Sequence, residues 1–394
     1  MSVADSSSTA GGITAGVLFA LTLVSFVVES QLTQYVQTGL GFRQPYFVFY
    51  IVHSAFAIMC PLHFLFLMIK SKASPRALYR GLYVSLCTHI SPTAFDSPAS
   101  FPIWGFVRLG TILAITIAIP ALLWFIAVTL APLTDVTALW NTNAFFAYIL
   151  TVKLFKLKWE LRRLVSVVIA TAGAALVVYG SGSSTPTDAE TGVTAEQANL
   201  PLVGDLLTLV ASIIYGIYQV LYKMYAALPT DPENLDSPPM DAAYEPIFDP
   251  TDDLAESPVT DKPEMVYPPP FGLYANALTS AIGVFTLLFL WVPIPILHYY
   301  GLETFRLPTN LQMVLVIAGI ALSGVAFNAG LMILLGVWGP IVTSVGNLLT
   351  IVLVFISDIT FGGAVQNITA WSLVGSGAIV AAFGVLAYDM LRRR

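Results

Sequence analysis

Apolar residues fall along this chain in ten runs, separated by short polar breaks. A helix crosses a bilayer in about 20 residues. The runs therefore predict membrane-spanning helices at 12–35, 45–68, 108–130, 132–155, 164–180, 200–225, 271–297, 311–337, 339–359 and 369–390. The clearest stretch, 307–357, contains no ionisable residue and is long enough to cross twice. Trp338-Gly339-Pro340 is its turn, because proline lacks the N–H that a continuing helix would use. Two segments break the pattern. Residues 71–106 are polar and rich in Ser and Pro, with a short interfacial helix expected at 77–86. Residues 227–270 are acidic, rich in Pro and poor in aliphatic side chains. They bury too little apolar surface to offset the entropy of ordering. That segment is expected to be a disordered cytosolic loop, either a passive tether or a regulatory or sorting element.

The runs repeat. Val136-Thr137-x-x-x-Asn141 recurs as Val342-Thr343-x-x-x-Asn347, and Gly16 and Gln31 are spaced as Gly204 and Gln219 are. Each half holds five runs, and an odd number forces the second half to enter the membrane from the opposite side. The expected fold is an all-α polytopic membrane protein with ten transmembrane helices in a 5+5 inverted repeat, the architecture of many secondary transporters. In domains, 1–11 is a short cytosolic tail and 12–180 the first repeat. A lumenal loop follows at 181–199, then the second repeat at 200–390, interrupted by the 227–270 loop, and a basic tail at 391–394.

Composition agrees with this. The chain is 57% hydrophobic and 10% charged, with mean hydropathy +0.79, against about 25% charge in a soluble domain. The formal net charge of −6 hides an asymmetry. Residues 227–270 carry eleven acids and one Lys, so the remainder is net basic. With both termini cytosolic, fifteen of the Lys and Arg residues fall on the cytosolic side; only Arg43 and Arg306 fall on the other. That is the bias the positive-inside rule requires. Cys60 and Cys87 lie on or near the cytosolic side, so no disulfide is expected. The N-terminus has Ser6, Ser7, Ser8 and Thr9 but no basic n-region, and reads as a tail before a retained span. Asn367-Ile368-Thr369 is a glycosylation sequon on the lumenal side, too close to a helix for modification to be expected.

The segment Ala138-Leu139-Trp140-Asn141-Thr142-Asn143-Ala144-Phe145-Phe146-Ala147-Tyr148 passes through a basic stretch into Ala172-Gly173-Ala174-Ala175-Leu176-Val177-Val178-Tyr179-Gly180. This resembles the closing helix pair of an EamA-type repeat in the drug/metabolite transporter superfamily. Gly204-Asp205-Leu206-Leu207 with Tyr215-Gly216-Ile217-Tyr218-Gln219-Val220-Leu221-Tyr222-Lys223 resembles the sixth helix of solute carrier 35-like members. Trp338-Gly339-Pro340-Ile341-Val342-Thr343-Ser344, leading to Asp358, resembles their ninth. The resemblance covers nearly all of the membrane portion, and the long acidic loop is outside the common pattern. It implies ten helices, alternating access, and small polar or anionic substrates such as nucleotide sugars, triose phosphates or thiamine-like compounds.

No charged side chain is expected at the centre of a span, where an ion costs about 2.5–3.5 kcal/mol on insertion scales. Recognition at mid-depth then falls to amides, hydroxyls and aromatics. Asn141 and Asn347 are candidate substrate contacts, with interhelical hydrogen bonding as the other reading; Asn143 is assigned to packing. Tyr215, Tyr218, Gln219 and Tyr222 share one helical face, which could stack a planar ring while Gln219 bonds its edge. Tyr222 and Tyr225 are assigned to an interfacial belt, and Lys223 to a positive-inside anchor. Asn328 and Trp124 are further cavity candidates, and His53 reads equally as a satisfied core histidine. Glu29 and Asp205 are expected within a few turns of the lumenal boundary, and Glu29, among Ser30, Gln31 and Gln34, is the candidate for proton coupling. Gly319, Gly324, Gly375, Gly377 and Gly384 suit close helix packing, and Pro120, Pro293 and Pro295 suit kinks.

The function expected is secondary active transport of a small polar or anionic metabolite. A transport-inactive scaffold or sensor acting through the acidic loop is the alternative. The chain has no HExxH, no CxxC and no Walker loop, so neither an enzyme nor a cofactor is expected. The expected partners are a small-molecule substrate and the lipid bilayer, with no nucleic acid. A homodimer and a cytosolic partner for 227–270 stay open. A eukaryotic endomembrane (Golgi, ER or vacuole) is the expected location, with the plasma membrane as alternative.

Overall fold

The structure, a computed structural model, describes residues 5–70, 74–91, 101–131, 133–180, 201–228, 266, 269–361 and 369–392. The tail before residue 5, the 181–199 loop, nearly all of the acidic loop and the Asn367 sequon lie outside the described residues. Among those described, every regular element is helical. In order they are α1 (Asp5–Gln34), α2 (Pro45–Ala55), α3 (Met59–Lys70), α4 (Pro75–Ile90), α5 (Ile103–Leu130), α6 (Leu133–Asn141) and α7 (Asn143–Leu154). Then come α8 (Leu161–Gly180), α9 (Pro201–Tyr225), α10 (Leu273–Phe289), α11 (Pro293–Tyr299), α12 (Leu311–Asn347), α13 (Leu349–Phe361) and α14 (Ala370–Arg392). A π-helical turn at Tyr35–Gly39 extends α1, and a 3-10 turn at Phe56–Ile58 joins α2 to α3.

Five of these helical runs are long and apolar enough to cross a membrane: Thr14–Gly39, Pro45–Lys70, Ile103–Leu130, Leu202–Tyr225 and Leu311–Ser357. The pair α10 and α11, bent by 43° at Pro293, makes a sixth if it is one span. Their outer faces carry apolar side chains that water would not tolerate. Val17, Leu21, Val24 and Val28 form an exposed stripe on α1, as Ile112, Ile115 and Ile119 do on α5. The fold is that of a helical membrane protein.

Local sequence sets the helix ends. Ser74 caps α4, its hydroxyl accepting from Ala77 N at 3.1 Å, and Pro75 follows where no N–H is needed. Asn310 caps α12 through Met313 N at 2.8 Å. The start of α2 is capped from far away: Glu303 accepts from Tyr46 N at 2.8 Å and Phe47 N at 3.0 Å. Gln44 and Arg306 clasp beside it, with Nε2 donating to the Arg306 carbonyl at 2.8 Å and Arg306 N donating to Oε1 at 2.9 Å. The turn expected at Gly339 is present inside α12, at φ 79° and ψ 170°, a conformation in which glycine carries no steric penalty.

Both copies of the Val-Thr-x-x-x-Asn motif end at a helix break. Thr142 N reaches only Leu139 O (3.1 Å) and Phe145 N only Thr142 O (3.0 Å). In the second copy Leu348 N reaches Val345 O (3.1 Å) and Ile351 N reaches Leu348 O (3.1 Å). The other repeat pairing is not matched in packing. A Cβ on Gly204 would meet Ala131 at 2.7 Å, whereas one on Gly16 would meet nothing within 4 Å.

α1 packs chiefly on α12, α5 on α9, α8 on α14, and α2 with the following turn on α10. The α8–α14 approach is close at Gly173, where a Cβ would lie 2.7 Å from the Gly375 carbonyl. Gly377 and Gly384, expected to serve such packing, face open space instead.

Candidate functional site: an aromatic-walled cavity

At the centre of the bundle, α1, α2, α5, α6, α9 and α12 line a cavity of about 40 Å³. Its wall is mostly aromatic: Phe26, Trp124, Phe125, Trp140, Tyr215 and Phe327. Trp140 stacks on Tyr215 at 4.5 Å between ring centroids, and Phe26 touches Phe327 at 4.9 Å and Trp124 at 6.2 Å. Such offset pairs fix ring positions more firmly than aliphatic packing does.

The polar groups in this wall are few. Glu29 reaches the cavity from α1 with 6% of its surface exposed. Gly324 makes room for it, since a Cβ there would stand 2.9 Å from the Glu29 Oε1. No ion pair or hydrogen bond engages this carboxyl among the described residues. Trp124 Nε1 and the Tyr215 hydroxyl are buried without a hydrogen-bond partner. Both side chains line the cavity, while these two polar atoms lie within its wall and out of contact with its space. Asn328 donates to Gly324 O at 3.0 Å, which leaves its carbonyl oxygen for the cavity. His53 donates through Nδ1 to the Phe49 carbonyl at 3.2 Å, the only direction that bond can take. Its ring is wedged between Phe49 and Phe56 at 4.5 and 4.7 Å.

Four of the residues singled out from sequence therefore meet here: Glu29, Trp124, Tyr215 and Asn328. Glu29 is buried, facing α12, ten residues before its span ends at Gly39. The other three do not line the cavity. Asn141 donates to Thr137 O at 2.8 Å and to Thr350 Oγ1 at 3.3 Å, tying α6 to α13. Gln219 donates to Asn143 Oδ1 at 3.3 Å and accepts from the Ser344 hydroxyl, joining α9 to α7 and α12. Asn143 in turn donates to Trp140 O at 2.7 Å. Asn347 is buried with Oδ1 unpartnered, beside this network. Sequence reasoning missed Phe26, Phe125, Trp140 and Phe327 as wall residues. They come from four different helices, and no single-helix periodicity marks them.

A second cavity, of about 520 Å³, lies along the same α5–α9 seam where α5 begins and α9 ends. His89, Arg108, Thr116, Tyr218, Tyr222 and Tyr225 are among its lining residues. Tyr222 is 1% exposed, so it belongs to this wall and not to a surface belt; Tyr225 is exposed. The Tyr218 ring stacks on Tyr215 at 6.1 Å and its hydroxyl donates to Met332 Sδ at 3.3 Å. On α9 this tyrosine pair is the partition between the two cavities. Lys223, read as a surface anchor, donates to Gly336 O at 2.8 Å. There it satisfies a carbonyl left free just before the Gly339 break.

The fold and site together define a helical membrane protein with an aromatic-walled central cavity. No family model matches the chain, and no curated protein matches it either. Among 21 matching chains of solved structures is one described only as "Crystal structure of protein". It aligns at TM-score 0.51 and 12% identity, over 96% of this chain and 98% of the other. That likeness concerns the fold alone.

Proposed function

We propose that the chain is a secondary carrier in which two inverted five-helix halves, ten spans in all, expose a central site to each side of the membrane in turn. The observation that carries this reading is the central cavity, walled by α1, α2, α5 and α6 of one half and by α9 and α12 of the other. Substrate sites between repeats are the rule in such carriers. Further support comes from the two equivalent helix breaks after Asn141 and Asn347. Exchanging the halves also maps the α1–α12 packing onto α5–α9 and returns α8–α14 and α2–α10 to themselves. The 520 Å³ cavity beside the 40 Å³ one suits a vestibule on the cytosolic side. The resemblance to solute carrier 35-like proteins points the same way.

The test needs no known substrate. In a protein with Cys60→Ser and Cys87→Ser, Ala121→Cys places one thiol in the cavity wall. A membrane-impermeant methanethiosulfonate reagent is then applied to each face of oriented vesicles in turn. Alternating access predicts modification from both faces. Modification from one face only would overturn the carrier reading.

A further inference from the structure

The chemistry of the central cavity points to a substrate class, an inference that rests on the carrier reading for its setting. We infer that the cavity takes a compact organic cation, an alkylated ammonium or a small aromatic cation, seated against Glu29 and the rings of Trp124, Trp140, Tyr215 and Phe327.

The charge balance of the wall comes first. Its lining holds one carboxyl, Glu29, and neither Lys nor Arg. The other titratable groups facing it are His53 and Tyr215. His53 spends Nδ1–H on the Phe49 carbonyl between two phenylalanine rings, and no ion pair joins it to Glu29 among the described residues. An anionic phosphate or sugar nucleotide would meet Glu29 with no cation to offset it. Arg108 belongs to the outer cavity, beyond the Tyr215–Tyr218 pair.

Ring faces supply the second term. Aromatic rings attract cations through their quadrupole, most strongly when water is excluded, and cages of such rings are a common solution for alkylated ammonium groups. Here six aromatic side chains surround one unpaired carboxyl. A cation would offset the cost of burying that carboxyl, and the carboxyl would offset the burial of the cation. Size and donor count complete the argument. On the usual scale about 40 Å³ holds about three waters, so the bound group is compact. With Trp124 Nε1 and the Tyr215 hydroxyl buried in the wall, the polar groups left are too few to satisfy a polyhydroxylated sugar.

The experiment measures binding in detergent, separately from transport. N-methylpyridinium is the probe, with toluene as neutral isostere and nicotinate as anion, read by isothermal calorimetry and by saturable quenching of tryptophan fluorescence. The expected result is saturable binding of the cation at least tenfold tighter than of either control. Glu29→Gln should weaken the cation at least tenfold and leave toluene unchanged, while Glu29→Asp should restore most of the preference. Circular dichroism and gel filtration check the fold of each variant. Equal binding of cation and isostere, preference for nicotinate, or full cation affinity in folded Glu29→Gln protein would each overturn the inference. If Glu29→Gln fails to fold, the wild-type ranking of the three probes decides alone. Cation binding with one-sided cysteine access would sink the carrier reading and leave the site. Two-sided access without cation binding would do the reverse.

Discussion

Gln219 was a candidate for reading a substrate, and its surroundings assign it to holding three helices together. Replacing it with Leu, of similar volume, removes the donor to Asn143 Oδ1 and the acceptor for the Ser344 hydroxyl. Interhelical polar bonds in membrane proteins average about 0.6 kcal/mol each, so the two together contribute about 1.2 kcal/mol. Both partners then stay buried and unpaired: Asn143 is fully buried and so is Ser344. A buried orphan costs about 1–3 kcal/mol in water-soluble proteins, and the membrane values place this case toward the low end. The expected total is about 1–3 kcal/mol. Ser344→Ala removes one bond and leaves the Gln219 carbonyl oxygen unpaired, for about 1 kcal/mol. The double variant should cost less than the sum by about 1 kcal/mol, because removing both partners removes the orphan as well. Reversible unfolding in mixed SDS micelles measures all four proteins. Affinity of the cavity for its ligand should be unchanged in Gln219→Leu. Costs that add within about 0.3–0.5 kcal/mol would refute the coupling, and a selective loss of ligand affinity at full stability would return Gln219 to the binding site.

Other outcomes follow from particular contacts. A Cβ on Gly283 would overlap the Ala57 backbone nitrogen and lie 2.6 Å from the Phe56 carbonyl carbon, so Gly283→Ala should cost about 1–3 kcal/mol in the same unfolding assay; wild-type stability would contradict the α10 packing. Glu303→Ala strips two amides at the start of α2 of their acceptor, and should cost about 0.5–2 kcal/mol, with faster hydrogen exchange at Tyr46 and Phe47. Glu303→Gln, which keeps an acceptor, should fall between. Glu29→Gln should abolish any dependence of vesicle uptake on a pH gradient, and unchanged dependence would remove Glu29 from coupling.

The chain's pattern of apolar runs and breakers located the long apolar helices, but not the break at Thr142 within the helix expected at 132–155 or the one at Leu348 within that expected at 339–359. Ser74-Pro75, Asn310 and Gly339-Pro340 act through their own backbone geometry, and each sits where its chemistry requires an end or a turn. The repeated Val-Thr-x-x-x-Asn was legible for the same reason, although its consequence, a helix break after each Asn, was not. Which face of a helix looks inward was decided only by the tertiary structure. On α5, Ile115 is 52% exposed and Ile117 is 3% exposed. In water such a pair would differ in kind. Here lipid and protein interior are equally apolar, so neither residue type nor period separates them. Glu29, Trp124, Trp140 and Tyr215 therefore became one site only when four helices brought them together, and Asn141 and Gln219 became links when their partners arrived from distant parts of the chain.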